Sequence, residues 1–252
     1  MCGVVGIVAK QSVNQEIYNA LTVLQHRGQD SSGIMTDDNG VLCQRKSNGL
    51  VADVFTNKHM LQLRGNIGIG HVRYPTAGSL SEVEAQPFYV NAPFGICLAH
   101  NGNLVNAEQL RNHLELIDRR HLNTESDTEA LLNLFAHELQ KIYIKDLTPK
   151  EIFQAVRGVF EKSSGGYAVI SMILNEGLVA FRDPNAIRPL VIGTRESNQG
   201  TEYMIASESV ALDVLGYTIL RDVLPGEAIY IDTDGNFYSH QCVQARSYTP
   251  CI

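Results

Sequence analysis

The sequence predicts an α+β protein whose layers are built on mostly antiparallel sheets. Three observations carry this. Short apolar runs rich in Val and Ile recur along the chain as strand candidates, several of them alternating. Helical periodicity with N-terminal capping signals separates some of these runs and not others. The order is strands, then helices, then strands again, rather than the regular alternation that builds a parallel sheet.

Taken in order, strands are predicted over residues 4–9, 33–36, 67–72, 88–90, 95–100, 167–174, 178–181, 203–206 and 227–231. Ser12 and Gln15 have the spacing of a capping box for a helix running to about His26. Asn106 stands as a cap for a helix over 107–116. Ser126-Asp127-Thr128-Glu129 is a capping box ahead of a helix over 130–142. Thr148-Pro149-Lys150-Glu151 repeats the pattern with Pro at the first helical position. A short helix is expected over 207–215. No Pro/Gly/Ser linker divides the chain, so one domain is expected; the apolar ending at Cys251-Ile252 is expected of a longer parent.

Composition narrows the function classes. At 252 residues the chain can bury a core, since roughly 70–75% of the unfolded surface goes inside at this size. With 44% apolar and 19% charged residues it is neither disordered nor a coiled coil. Acidic residues exceed basic ones by 27 to 20, giving a net charge of −7 and no basic stripe, which argues against nucleic acid as a partner. No apolar stretch reaches membrane-spanning length, and the apolar start lacks the positive region of a signal peptide. The five cysteines are odd in number, widely spaced and form no C-x-x-C, so neither a zinc site nor a thioredoxin motif is indicated; free thiols in a reducing cytosol fit. The Gly65–Gly70 region lacks the third glycine of a dinucleotide loop, because Arg73 stands in its place.

Five segments remain as candidates for chemistry. Cys2 is either a small apolar residue opening a strand or, once the initiator Met is removed, a nucleophile that carries its own base. Its thiol and α-amine would titrate near about 8.5 and 7.7–8.0. His100-Asn101-Gly102-Asn103 reads either as a hairpin turn or as an oxyanion hole formed by the Asn101 amide and the Gly102 N–H. Arg73 ends an apolar strand before a Pro/Gly loop, where its planar fork can form a surface ion pair or hold a carboxylate. Asp127 either complements a helix dipole or pairs with a ligand ammonium. The segment from Gln25 to Gly33 reads as a helix ended by Gly28 as a C-cap.

Together, Met1-Cys2-Gly3-Val4-Val5-Gly6, His26-Arg27-Gly28-Gln29-Asp30, His71-Val72-Arg73-Tyr74-Pro75-Thr76-Ala77-Gly78, Ala99-His100-Asn101-Gly102-Asn103 and Ser126-Asp127-Thr128-Glu129 resemble the class II glutamine amidotransferases. The stretches Arg27 to Asp30, Arg73 to Gly78 and Phe181 to Leu190 resemble the branch in which the glutaminase is followed by a phosphoribosyltransferase domain and serves purine synthesis. The resemblance runs along essentially all of the chain.

It implies a four-layer αββα sandwich with two antiparallel sheets, of the N-terminal nucleophile hydrolase type. It implies glutamine hydrolysis through a Cys2 thioester, with Asn101 and Gly102 as oxyanion donors. Arg73 would hold the α-carboxylate of L-glutamine and Asp127 its α-amino group. Tyr74, Thr76 and Gly78 would belong to a loop that closes over substrate, with Arg27 and His71 in supporting positions. No cofactor or metal is expected in this half, and Mg²⁺ would act in the phosphoribosyltransferase half. Partners would be that half and, in the full-length protein, further copies in a homo-oligomer, in the cytoplasm and without nucleic acid or membrane.

Two departures stand out. Ala186 replaces a usual Gly, which threatens the backbone geometry there, and the phosphoribosyltransferase signature is absent from these residues. An amidotransferase with another acceptor, or a glutamine-binding domain without catalysis, are the rival readings.

Overall fold

In the computed structural model, residues 1–74, 82–142 and 147–246 are described. The chain opens with β1 (Gly3–Val8), α1 (Asn14–Val23) and a 3-10 turn over Leu24–Arg27. There follow β2 (Ser31–Asp38), β3 (Val41–Asn48), the short α2 (Val51–Val54) and α3 (Asn57–Gln62), β4 (Ile67–Arg73), β5 (Phe88–Val90) and β6 (Ile96–Leu104). Three helices come next: α4 (Ala107–Leu116), α5 (Asp127–Lys141) and α6 (Pro149–Lys162). The chain then returns to strands: β7 (Gly165–Ile173), β8 (Gly177–Arg182), β9 (Val191–Ser197) and β10 (Gly200–Ala206). After α7 (Ser209–Val214) come β11 (Thr218–Asp222), β12 (Glu227–Asp232) and β13 (Phe237–Gln241).

Two antiparallel sheets face each other. One runs β11-β9-β10-β1-β4-β2-β3 and the other β13-β12-β8-β7-β6-β5. Three apolar clusters define four layers. Ile17, Leu21 and Leu24 of the α1 region pack with Val5 and Ile7 on the outer face of the first sheet. Phe135, Val156 and Phe160 of α5 and α6 pack with Leu98 and Phe181 on the outer face of the second. Val4, Val8 and Ile69 meet Cys97, Ile170 and Leu178 between the sheets. The predicted αββα sandwich is therefore present.

β1 is buried along its whole length because both faces are covered, which is why it reads as a continuous apolar run. Gly6 is required there: a Cβ would come within 2.7 Å of Ile170, so the sheets touch at this point.

Several local predictions are corrected. The helix after Ser12 begins at Asn14 with no side-chain cap, and its last turn becomes 3-10. Asn106 does begin α4, but its amide binds the Lys162 carbonyl and the Ser164 N–H instead of capping. Ser126 accepts from the Thr128 N–H, whereas Glu129 turns away to the Asn123 and Thr124 N–H groups, so the box is half formed. Thr148 bonds the Glu151 carboxylate and makes no backbone cap.

Gly28 is extended (φ −163°) rather than a left-handed C-cap. It is glycine because a Cβ would lie 2.5 Å from the Arg73 carbonyl carbon. The strands β3, β9, β11 and β13 escaped prediction. β3 and β11 lie at sheet edges and bury none of their side chains fully, so polar residues hide the alternation. Ala186 has φ +50°, the left-handed conformation that favours glycine, so the departure noted in the sequence does fall on a strained backbone.

Candidate active site

The register of the first sheet sets three side chains in one row. Gly3 pairs with Val72, so Cys2 lies beside Arg73, and Arg73 pairs with Ser31. The same strands place Val4, His71 and Gly33 one row deeper. Alternation turns Cys2, Ser31, His71 and Arg73 toward the second sheet, the same way as Val4, Met35 and Ile69.

Cys2 is fixed by its backbone. Its carbonyl accepts from Arg27 Nε at 2.8 Å, and the Val4 N–H donates to Ser207 Oγ at 2.9 Å. Arg27 is itself held by an ion pair with Glu208, which also meets His26 at 3.1 Å. The thiol sulfur accepts from the Tyr74 N–H at 3.4 Å, so Tyr74 meets it through its backbone while its side chain is exposed. Burial pushes the Cys2 thiol up from its ordinary value; the Tyr74 N–H, the N-terminal ammonium and Arg73 partly offset this.

The second sheet contributes an open strand edge. β5 covers β6 only over residues 96–98, leaving the later N–H groups on that side without a strand. The His100 N–H donates to Gln86 Oε1 at 2.8 Å, and the Leu104 N–H donates to Asp127 Oδ2 at 3.0 Å. Strand alternation puts the Gly102 N–H on this same edge, midway between them. The far side agrees: Tyr167, opposite Gly102, turns its own N–H and carbonyl to Asp183. The pair is therefore a non-hydrogen-bonded one, where strands approach most closely, and a Cβ on Gly102 would lie 2.6 Å from Tyr167 Cα. Asn101 and Gly102 lie inside β6, so the hairpin-turn alternative falls away. Asn101 faces the inter-sheet space, 2% exposed, and its Nδ2 has no hydrogen-bond partner among the described residues.

Asp127 is the first residue of α5. Burial pushes its carboxyl up, but the neighbouring His100 and the Leu104 N–H outweigh this and hold it below the ordinary carboxylate range. His100 bonds Thr128 Oγ1 at 2.7 Å and lies 3.7 Å from Asp127. His71 is completely buried, and burial, reinforced by His100, drives it down to about 3, so it stays neutral.

Cys2, Arg73, Gly102 and Asp127 all line one cavity of about 240 Å³. That is below the roughly 300–1,000 Å³ of drug-sized pockets and suits a ligand of amino-acid size. A larger groove of about 830 Å³ lies between α5, α6 and β13. Its thiol, Cys242, is pushed up to about 12 by burial and donates to the Phe153 carbonyl, so it is no nucleophile.

The predicted Thr76 and Gly78 lie outside the described residues. Sequence reasoning missed Asp30 and Glu84, whose carboxylates both bind Arg73, and Gln86 on the β6 edge. Asp30 stood within a motif segment but was given no role; nothing in the run Glu82-Val83-Glu84 marks its last member as buried. Among the described residues no group of three or more His, Cys, Asp or Glu is arranged for a metal, and no helix is long and apolar enough to cross a membrane.

Comparisons with known proteins agree with this geometry. The family described as glutamine amidotransferase domain matches residues 71–214, more than half of the chain. Amidophosphoribosyltransferase of Pseudomonas aeruginosa is 60% identical over 252 residues, covering 100% of this chain and 50% of that protein. The Escherichia coli amidophosphoribosyltransferase is 58% identical over 254 residues, again 100% and 50%. The chain thus spans about half the length of these relatives. Among solved structures, the glutamine phosphoribosylpyrophosphate amidotransferase of B. subtilis, complexed with ADP and GMP, superposes with a TM-score of 0.81. It is 35% identical, and the match covers 96% of this chain and 49% of that one. A class II glutamine aminotransferase domain protein from Silicibacter pomeroyi, at 15% identity and TM-score 0.55, shares the fold. With the profile and the fold in agreement, the chain belongs to the glutamine amidotransferase domain family.

Proposed function

We propose that the chain is the glutaminase half of an amidophosphoribosyltransferase, releasing ammonia from L-glutamine through a thioester on Cys2. One observation carries the reading: the Cys2 thiol, a cation at Arg73, an ionised carboxylate at Asp127 and the N–H of Gly102 converge on one small cavity. A free amino acid needs such an arrangement, with opposite charges for its two ends and a nucleophile facing its side chain.

The steps follow from the chemistry of the groups. Removal of Met1 converts the Cys2 nitrogen from a peptide to an amine, which takes the thiol proton. The thiolate attacks the side-chain amide carbon of glutamine. The tetrahedral oxyanion is met by the Gly102 N–H and Asn101 Nδ2. The α-ammonium returns its proton to the leaving nitrogen, ammonia departs and the γ-glutamyl thioester remains. Water then attacks the thioester carbon, and glutamate leaves with the thiol restored.

In the full-length protein the ammonia would be used on phosphoribosyl pyrophosphate to give 5-phosphoribosylamine, with Mg²⁺ bound by the other half. The relatives' amidophosphoribosyltransferase names and their doubled length support this acceptor. The reading further places the protein in the cytoplasm as a homo-oligomer. Cys2→Ala is expected to abolish glutamate release while leaving the unfolding midpoint near wild type. Hydrolysis at the wild-type rate by the variant would remove Cys2 from the mechanism.

A further inference from the structure

We propose that Glu84 sets the affinity of the site for the amino acid's α-carboxylate by occupying the cavity side of the Arg73 guanidinium. The proposal rests on the glutaminase reading above.

Arg73 carries two anions. Its Nη1 donates to Asp30 Oδ2 at 2.7 Å, and its Nη2 donates to Glu84 Oε2. The two partners differ in kind. Asp30 is tied to the same strand through its main chain, its N–H donating to the Arg73 carbonyl at 3.0 Å, and it does not line the cavity. Glu84 lines the cavity together with Arg73, Cys2 and Asp127. Its carboxylate has Arg73 as its side-chain partner, on a short 3-10 turn whose other residues, Glu82 and Val83, are exposed. The chain just beyond it is clamped, because Lys46 Nζ donates to the Ala85 and Pro87 carbonyls at 2.7 and 3.1 Å. Release of Arg73 by Glu84 therefore falls to the Glu84 side chain rather than to movement of the chain beyond it.

The charge count makes the competition unavoidable. One guanidinium facing two carboxylates has a net charge of −1, and Asp127 adds another anion to the same cavity. A ligand carboxylate arriving at Arg73 would be the third anion on one cation, inside a site where like charges placed side by side are costly. Of the two carboxylates on Arg73, Glu84 is the one that shares the cavity with it, so the ligand gains Arg73 only as Glu84 releases it. Asp127 remains for the ammonium.

The test measures equilibrium binding of L-glutamine to the Cys2→Ala chain, which prevents turnover, with and without Glu84→Gln. Glutamine keeps the size of the side chain and an acceptor for Arg73 but removes the charge. The dissociation constant is expected to fall at least about fivefold. L-glutaminamide, which has no α-carboxylate, should gain nothing from the same substitution. Glu84→Ala should show the same ordering. Weaker or unchanged glutamine binding in both variants would assign Glu84 to holding Arg73 in place and overturn the proposal. An equal gain for glutaminamide would overturn it as well. Failure of every form to bind glutamine would overturn the glutaminase reading along with it.

Discussion

The space between the two sheets has two ends built by the same strands, and they treat polar groups in opposite ways. At the end marked by Val8, Ile67, Cys97 and Leu178 the interior is apolar, and its polar members are satisfied. Asp37 accepts from the Gly40 and Asn175 N–H groups at 2.6 and 2.7 Å. At the end marked by Cys2, the Ser31 hydroxyl, both ring nitrogens of His71 and Asn101 Nδ2 are buried without a hydrogen-bond partner among the described residues. Buried polar groups are nearly always paired, and leaving one unpaired costs about 1–3 kcal/mol. The contrast teaches that one end of the interior is built for stability, while the end that holds Cys2 keeps those polar groups unpaired at a cost in stability.

That comparison can be broken most directly at Asn101. Asn101→Ala should lower glutamine turnover about 100- to 1,000-fold, as loss of one oxyanion donor does. It should leave stability unchanged or slightly raised, because the donor it removes is unpaired in the folded chain. A variant that unfolds readily but turns over normally would reverse the assignment. The opposite end gives the mirror image. Leu178 is fully buried, and Leu178→Ala should cost about 2–5 kcal/mol in denaturant unfolding. The Michaelis constant for glutamine should stay within about twofold of wild type, since the lost packing lies away from the cavity. A change confined to turnover would show that the two ends are not separate.

A smaller effect comes from His71. Its folded value of about 3 lies below the ordinary 6.5, so in this window the unfolded chain binds a proton that the folded chain refuses. The His71 contribution is therefore fully present above about pH 6.5 and is lost as pH falls toward 3, at roughly 1.4 kcal/mol per pH unit. Unfolding midpoints of wild type and His71→Asn between pH 7 and pH 4.5 should converge as the wild type loses this increment. Parallel curves would mean that His71 takes up its proton within the folded protein.

How far the sequence discloses these regions depends on the range of the interactions. Cys2, Arg73, Asn101, Gly102 and Asp127 each lie in a short motif that is ambiguous alone and is singled out only by the combination of motifs; the structure brings Cys2, Arg73, Gly102 and Asp127 to one cavity, with Asn101 facing the space between the sheets. Glu84 and Gln86 were not legible, since their partners Arg73 and His100 lie 11 and 14 residues away and nothing local marks the pairing. Gly28 was legible as a special position but assigned the wrong reason: the close approach of the Arg73 backbone, not a helix end, requires it. The capping boxes were read from spacing alone, and competing partners at Thr124 and Lys162 drew the side chains elsewhere. Most strands buried on the interior of the sheets were found because burial writes itself as apolar runs; the edges β3, β11 and β13 were not, nor was the interior β9, whose second half is polar and only partly buried.

The central claim is that Cys2 is the nucleophile of a glutamine site. It is tested most directly by intact mass and peptide mapping after incubation with 6-diazo-5-oxo-L-norleucine, a reactive glutamine mimic. The account predicts a single adduct, on a peptide that begins at Cys2 with Met1 removed, and protection by excess L-glutamine. An adduct at any of the other four cysteines, or none on a chain whose Met1 has been removed, would contradict it.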